Sequence, residues 1–239
     1  PILAVDELRN EAYAMGRYSI EVFENIGGTG FPFQRIEGAQ VVRGVIGTHA
    51  YAQFAETFAF VGSARNEAPA VYLMGPGTTG KLSTREIDKI LQGYSEAQLS
   101  LIVVESRTEK GHQHLMIHLP DRCLVYDHAA TQSVGEPVWF FLSTGDAGIH
   151  PYRACNFVYG YGKWIVGDTE DGRIGFIDET VATQYGEIAG WQFDTTILYN
   201  ASKGAAHIMT LQLARELSKK HGICVFGISP NKLAGTEMS

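Results

Sequence analysis

The sequence predicts a mainly β fold: a partial β-propeller of four-stranded antiparallel blades with an inserted helix, followed by a short C-terminal α/β segment. Three observations carry this. Short β-branched and aromatic runs alternate with turn residues along most of the chain. Glycine at 27 of 239 residues and aromatics at 11% fit many tight turns between short strands. After about Tyr199 the apolar residues change to helical spacing.

Four two-strand units recur: "AYAMGRYSIEVFE", "TFAFVGSARNEAPAVYLMG", "HLMIHLPDRCLVYDH" and "KWIVGDTEDGRIGFIDE". Their turn centres, Gly16, Arg65, Asp121 and Glu170, lie 49, 56 and 49 residues apart, an interval that points to one structural unit used repeatedly. Three blades follow from the flanking runs. Residues 40–75 give "QVVRGVIG", "HAYAQFAE", "TFAFVGS" and "AVYLMG". The runs "LSLIVVES", "HLMIHL" and "CLVYDH" give the next, with a helix over residues 84–92 inserted before it. Residues 137–179 supply "PVWFFLST", "ACNFVYGY", "KWIVGD" and "GRIGFIDE", about the length of one four-stranded blade. Three blades do not close a ring, so the pattern implies a larger propeller or an unusual closure. The tail "NASKGAAHIMTLQLARELSKKHG" then places Ala205, Ile208, Met209, Leu213 and Leu217 on one helix face before the strand "ICVFGI". The expected domains are a β-propeller-like region over residues 1–198 and a helix-strand tail over residues 199–239.

The totals exclude several classes. No run approaches the roughly 20 apolar residues of a membrane span, and Pro1-Ile2-Leu3-Ala4-Val5 is too short and uncharged for a secretory signal. Cys123, Cys155 and Cys224 lie far apart without a CxxC pair, which fits reduced thiols of a cytoplasmic product. A formal charge of −7 argues against gripping nucleic acid through many phosphate contacts.

"GPGTTGKLS", Gly75 to Ser83, spells the GxxxxGK of a nucleotide loop. A magnesium-binding Ser or Thr must follow the lysine, and Leu82 stands there instead. Ser83 and Glu86 read as a capping box, so the helix starts at Ser83, buries Ile87, Ile90, Leu91 and Tyr94, and ends at Gly93. The segment is expected to be a turn and loop leading into a capped helix. His112, His114 and His118 share one strand face, but two histidines at i, i+2 lack the third ligand a zinc site needs, so a polar, solvated face is expected and no metal. Asp168, Glu170 and Asp171 lack the ligand spacing of a calcium loop, and Asp171-Gly172 reads as a hairpin turn. Gly93-Tyr94-Ser95-Glu96-Ala97 follows a helix, so it lacks the strand-to-helix turn of a nucleophile elbow. Tyr199 and Lys203 fall on one helix face, where the ammonium lowers the phenol pKa for proton exchange with a carbonyl or alcohol.

From about Arg17 to Tyr199, "YSIEVFENIGGTG", "FAFVGSARNEAPAVYLMG", "STREIDKILQGYS", "HLMIHLPDRCLVYD" and "YGKWIVGDTEDGRIGFIDE" occur in the order of one family. The chain resembles the packaged DNA stabilisation proteins, also called tail accessory factors or nozzles, of short-tailed bacteriophages. The resemblance implies a non-enzymatic virion protein, assembled in the host cytoplasm, that joins other tail and portal-adaptor subunits in a homo-oligomeric ring. It also implies closure of the exit channel over packaged DNA, with no catalytic or cofactor-binding residues and no membrane partner. Residues 199–239 are similar to the C-terminal part of short-chain dehydrogenases, with the Tyr-x-x-x-Lys helix and "PNKLAGT". That second resemblance implies an alternative NAD(P)-dependent oxidoreductase using Tyr199 and Lys203, with Asn231 and Thr236 beside the nicotinamide. The dehydrogenase glycine loop TGxxxGxG is missing from the chain.

Overall fold

The computed structural model describes residues 1–27, 30–144 and 151–178, and the backbone of residues 183–184, 187–188 and 190–192. The chain divides into two units, Pro1–Gln192 and Phe193–Ser239, and every described residue belongs to the first.

Four antiparallel sheets of three or more strands follow one another along the chain. The first joins β1 (Ile2–Leu8), β2 (Glu11–Gly16), β3 (Ile20–Asn25) and β4 (Phe33–Arg35) in chain order. In the second, β5 (Gly44–Val45) and β6 (Tyr51–Phe54) both pair with β7 (Thr57–Ser63), which is followed by β8 (Ala70–Gly75) and β9 (Thr78–Lys81). Residues 46–50 bulge between β5 and β6 while Val61 keeps the line, its N–H on the Ala50 carbonyl at 2.8 Å and its carbonyl on the Ile46 N–H at 2.9 Å. Two helices come next, α1 (Arg85–Gln92) and α2 (Glu96–Leu99).

The third sheet contains β10 (Val103–Glu109), β11 (His112–His118) and β12 (Cys123–Asp127), then, after α3 (His128–Val134), β13 (Val138–Ser143). The fourth has β14 (Ala154–Gly160), β15 (Lys163–Asp168) and β16 (Ile174–Phe176). Of the short pieces that follow, β17 (Thr183–Gln184) pairs with β18 (Glu187–Ile188), and β19 (Gly190–Gln192) adds to β13. Successive up-and-down sheets of this kind are the blades of a propeller.

Four hairpins turn where turn residues predict, near Gly16, Arg65, Asp121 and Glu170. Several boundaries differ. Residues 2–35 form a whole four-stranded sheet rather than a lone hairpin, so the described residues have four sheets of three or more strands, beside the short β17–β18 pair, where three blades were expected. "PVWFFLST" belongs to the third sheet, not the fourth: α3 ends at Gly135, the chain reverses, and the Val138 N–H donates to Thr131 Oγ1 at 2.9 Å, which sets β13 against β12. Of "QVVRGVIG" only Gly44–Val45 is strand.

β7 in the middle of the second sheet is buried on both faces, which is why "TFAFVGS" reads as a nearly continuous apolar run. On one side Phe58, Phe60, Tyr72 and Met74 meet Tyr13, Met15, Ile20 and Val22 of the first sheet. The adjoining backbones approach so closely that glycine is required. A Cβ on Gly44 would stand 2.0 Å from the Gly16 carbonyl oxygen, and one on Gly62 1.7 Å from that of Gly44.

Candidate functional site

One strand from each of the four sheets lines a common cavity. Asp6 comes from β1, Tyr51 and Ala52 from β6, residues 103–106 from β10 and residues 156–158 from β14, with His49 from the bulge before β6. Its volume is about 450 Å³. Gln53 ties β6 to β1 through Nε2, 3.1 Å from the Glu7 carbonyl oxygen, and the Val104 N–H donates to the His49 carbonyl at 2.8 Å. Tyr51 is raised above the ordinary phenol value, first by burial and then by the charge of Asp6 and a hydrogen bond to it. Asp6 and Glu105 are the carboxylates of the lining, and no lysine or arginine is among its described residues.

Glu105 organises the far side. The pairing of β14 with β15 shifts register between Cys155 and Val158, and Asn156 takes a positive φ of 55°. This bulge releases two backbone N–H groups from the ladder. Glu105 accepts both: Oε1 from the Asn156 N–H and Oε2 from the Phe157 N–H, each at 2.8 Å. The Arg107 guanidinium lies over the Phe157 ring at 5.3 Å, and Trp164 Nε1 donates to the Thr108 carbonyl at 3.2 Å. His118 Nε2 stands 3.5 Å from Glu105 Oε1; burial holds His118 below the usual imidazole value and Glu105 opposes that only in part.

The segment that spells a nucleotide loop is a β-hairpin. Met74 pairs with Thr79 and Gly75 with Thr78, so Pro76 and Gly77 form a two-residue turn, with Gly77 at a φ of 61° that favours glycine. The expected loop after this turn is therefore a further strand, β9. Lys81 pairs with Asp88 and Arg43 with Glu67, so both cations of the concavity beside the hairpin are matched by carboxylates. The N-cap of α1 is Thr84, whose Oγ1 accepts from the Ile87 N–H, and not Ser83. Ser83 Oγ is otherwise committed: it accepts from the Val71 N–H at 3.1 Å and donates to Asp88 Oδ1 at 2.6 Å. The capping box belongs to Ser95 and Gln98 at α2, which also gives Ser95 a structural role in place of a nucleophilic one.

The strand histidines are not a solvated row. His112 is half exposed, whereas the side chains of His114 and His118 keep 15% and 12% of their accessibility. His112 Nδ1 lies 2.7 Å from Asp127 Oδ2 and His114 Nε2 3.4 Å from the same oxygen. Asp168, Glu170 and Asp171 are drawn together by Arg153, with N···O distances of 2.8, 3.1 and 3.3 Å. A guanidinium fills the place a cation would take. Burial pushes the Cys123 thiol far up, and that of Cys155 up as well, which leaves both as poor nucleophiles.

A family model described as "Bacteriophage P22 Gp10, beta-propeller" matches residues 1–182. The chain belongs to this family. It is 29% identical over 190 residues to the tail hub protein gp10 of Salmonella phage P22, a match that covers 77% of this chain and 39% of that protein. The chain thus spans well under half the length of this Gp10 relative. Among solved structures, a GH43 glycoside hydrolase engineered for endo-xylanase and exo-arabinofuranosidase activity overlaps with a TM-score of 0.33 at 10% identity, over 74% of this chain and 39% of that one. An overlap that low bears on neither fold nor activity.

The Gp10-family match ends before the dehydrogenase-like tail. Tyr199, Lys203, Asn231 and Thr236, and the expected boundary after residue 198, lie outside the described residues. Sequence reasoning missed Glu105 as the residue that holds the bulge. Its only signal was a carboxylate in the middle of a strand otherwise suited to burial.

Proposed function

We propose that this Gp10-family chain is a structural component of a bacteriophage tail and part of the virion. The family match over residues 1–182 carries the reading. In the finer form of the proposal, copies of the protein assemble in the host cytoplasm with neighbouring tail and portal-adaptor subunits as a homo-oligomeric ring and close the channel over packaged DNA. The net charge of −7 and a cavity lined by Asp6 and Glu105 with no described lysine or arginine support this, because walls without cations do not trap a polyanion that must later move. No helix among the described residues is long and apolar enough to cross a membrane.

The test is retention of DNA. Particles assembled without the protein are expected to fill and then lose their genome, with nuclease-protected DNA per head restored when the protein is supplied. Heads that keep their DNA in its absence overturn the channel-closing role. Electron microscopy of particles carrying the tagged protein tests the coarser reading: label on the capsid shell, or on no particle at all, overturns a tail location.

A further inference from the structure

We propose that His112, His114 and Asp127 form a site for one divalent transition-metal ion of the zinc type. Alternation along β11 puts both imidazoles on one face, and the register of β12 sets Asp127 directly across from His114. This supplies the third ligand that the i, i+2 pair lacks in the sequence. The nearest ligand atoms of the three residues all lie within 4.8 Å of one another. Ligands about 2.0–2.1 Å from a tetrahedral zinc stand about 3.3 Å apart. The 3.4 Å between His114 Nε2 and Asp127 Oδ2 is already that spacing, and the 2.7 Å from His112 Nδ1 needs to open only slightly.

The surroundings fix the ligands. Asp127 Oδ1 accepts from the Ala130 N–H at 3.0 Å as the cap of α3, so Oδ2 is the oxygen left to coordinate. The His114 ring is held edge-on against Phe140, with centroids 5.7 Å apart. Arg107, across from His114, is the one guanidinium among their cross-strand neighbours, and it is paired with Glu109 at 3.0 Å. Glu109 in turn stands opposite His112, so the local charge is balanced. Two imidazoles and one carboxylate favour zinc, nickel or copper over calcium and magnesium, which prefer all-oxygen sets. His112 is half exposed, which gives an ion a route in and leaves a coordination position for water. Bound there, the ion would tie the β10–β11 hairpin to the start of α3.

Titration of the metal-free purified protein with Co(II), read by visible absorbance, and competition with Zn(II) test the site. One ion per chain is expected, with a Tm raised by Zn(II) and returned by chelator. His112→Ala removes an exposed ligand and is expected to weaken binding at least tenfold. Asp127→Asn keeps a good cap for α3 while losing the anionic ligand, and is expected to do the same. Absence of a stoichiometric ion in the parent protein overturns the proposal. So does binding that is as tight in both variants as in the parent.

Discussion

The seam between the first and second sheets and the seam between the third and fourth do the same job with opposite chemistry. The first is apolar: Tyr13, Met15, Ile20, Val22, Phe58, Phe60, Tyr72 and Met74 form one cluster, and Phe58 meets Tyr13 and Tyr51 edge-on at centroid distances of 5.0 and 6.0 Å. The second is directional: the two oxygens of Glu105 hold two bulge amides, while Arg107 and Thr108 receive Phe157 and Trp164. Apolar burial contributes more free energy and tolerates small slides. Hydrogen bonds accepted by one carboxylate contribute less net free energy and fix register. The apolar seam should therefore hold the fold together, and the polar seam should decide where the fourth sheet sits.

Phe58→Ala is expected to give the largest loss, about 3–5 kcal/mol, because it empties a fully buried ring site between two sheets. Denaturant unfolding measures it. A loss under about 1 kcal/mol would mean that the first seam is not the stronger one. Glu105→Ala comes next at about 1–3 kcal/mol, since it removes two hydrogen bonds to a charged acceptor, from the exposed Asn156 amide and the half-buried Phe157 amide. Hydrogen exchange separates this effect from global unfolding. The two amides should lose protection while the Phe58 and Phe60 amides keep theirs, and an unchanged Phe157 amide would show that Glu105 does not hold the bulge.

The two seams should also fail at opposite ends of the pH scale. Burial lowers the folded pKa of His118 below its unfolded value near 6.5, so the unfolded chain binds the proton more readily. Its contribution is complete above about pH 6.5 and is lost as pH falls through the folded value. Tyr13 is raised to about 12 by burial and by its hydrogen bond to Glu11. Its contribution is complete below about pH 10 and is lost as pH rises through the folded value. Acid should therefore raise amide exchange in β14 before β7, and His118→Asn should flatten that acid limb. Equal acid sensitivity of the two strands would remove the distinction.

The sequence made the hairpins legible and the sheets only partly so, for a physical reason. Turn residues at Gly16, Arg65, Asp121 and Glu170 act locally, and each hairpin formed where they stand. Which hairpins share a sheet depends on contacts invisible to local pattern. Val138–Ser143 joined β12 because a helix and a reversal at Gly135 intervene. The same limit hid the sites. Glu105 meets its amides 51 and 52 positions along the chain, and the partner of His112 lies 15 residues away on another strand. The nucleotide-like loop could be rejected from Leu82 alone, because that chemistry needs a hydroxyl at one fixed place. Ser83 and Thr84 are both good caps one residue apart, and the choice fell to Thr84 once Ser83 was engaged by Val71 and Asp88.

The smallest expected effect sharpens the comparison most. Phe157→Leu keeps an apolar side chain and leaves the backbone N–H on Glu105, but removes the ring beneath Arg107. A cation–π contact contributes about 0.5–1 kcal/mol when exposed and about 2 when desolvated, and the Arg107 side chain keeps 12% of its accessibility, so stability should fall by about 1–2 kcal/mol. If the carboxylate sets the register of the fourth sheet, exchange at the Asn156 and Phe157 amides should stay slow in this variant. Loss of protection there as large as in Glu105→Ala would shift the positioning role from Glu105 to the aromatic ring, and the third and fourth sheets would then be held by packing, as the first and second are.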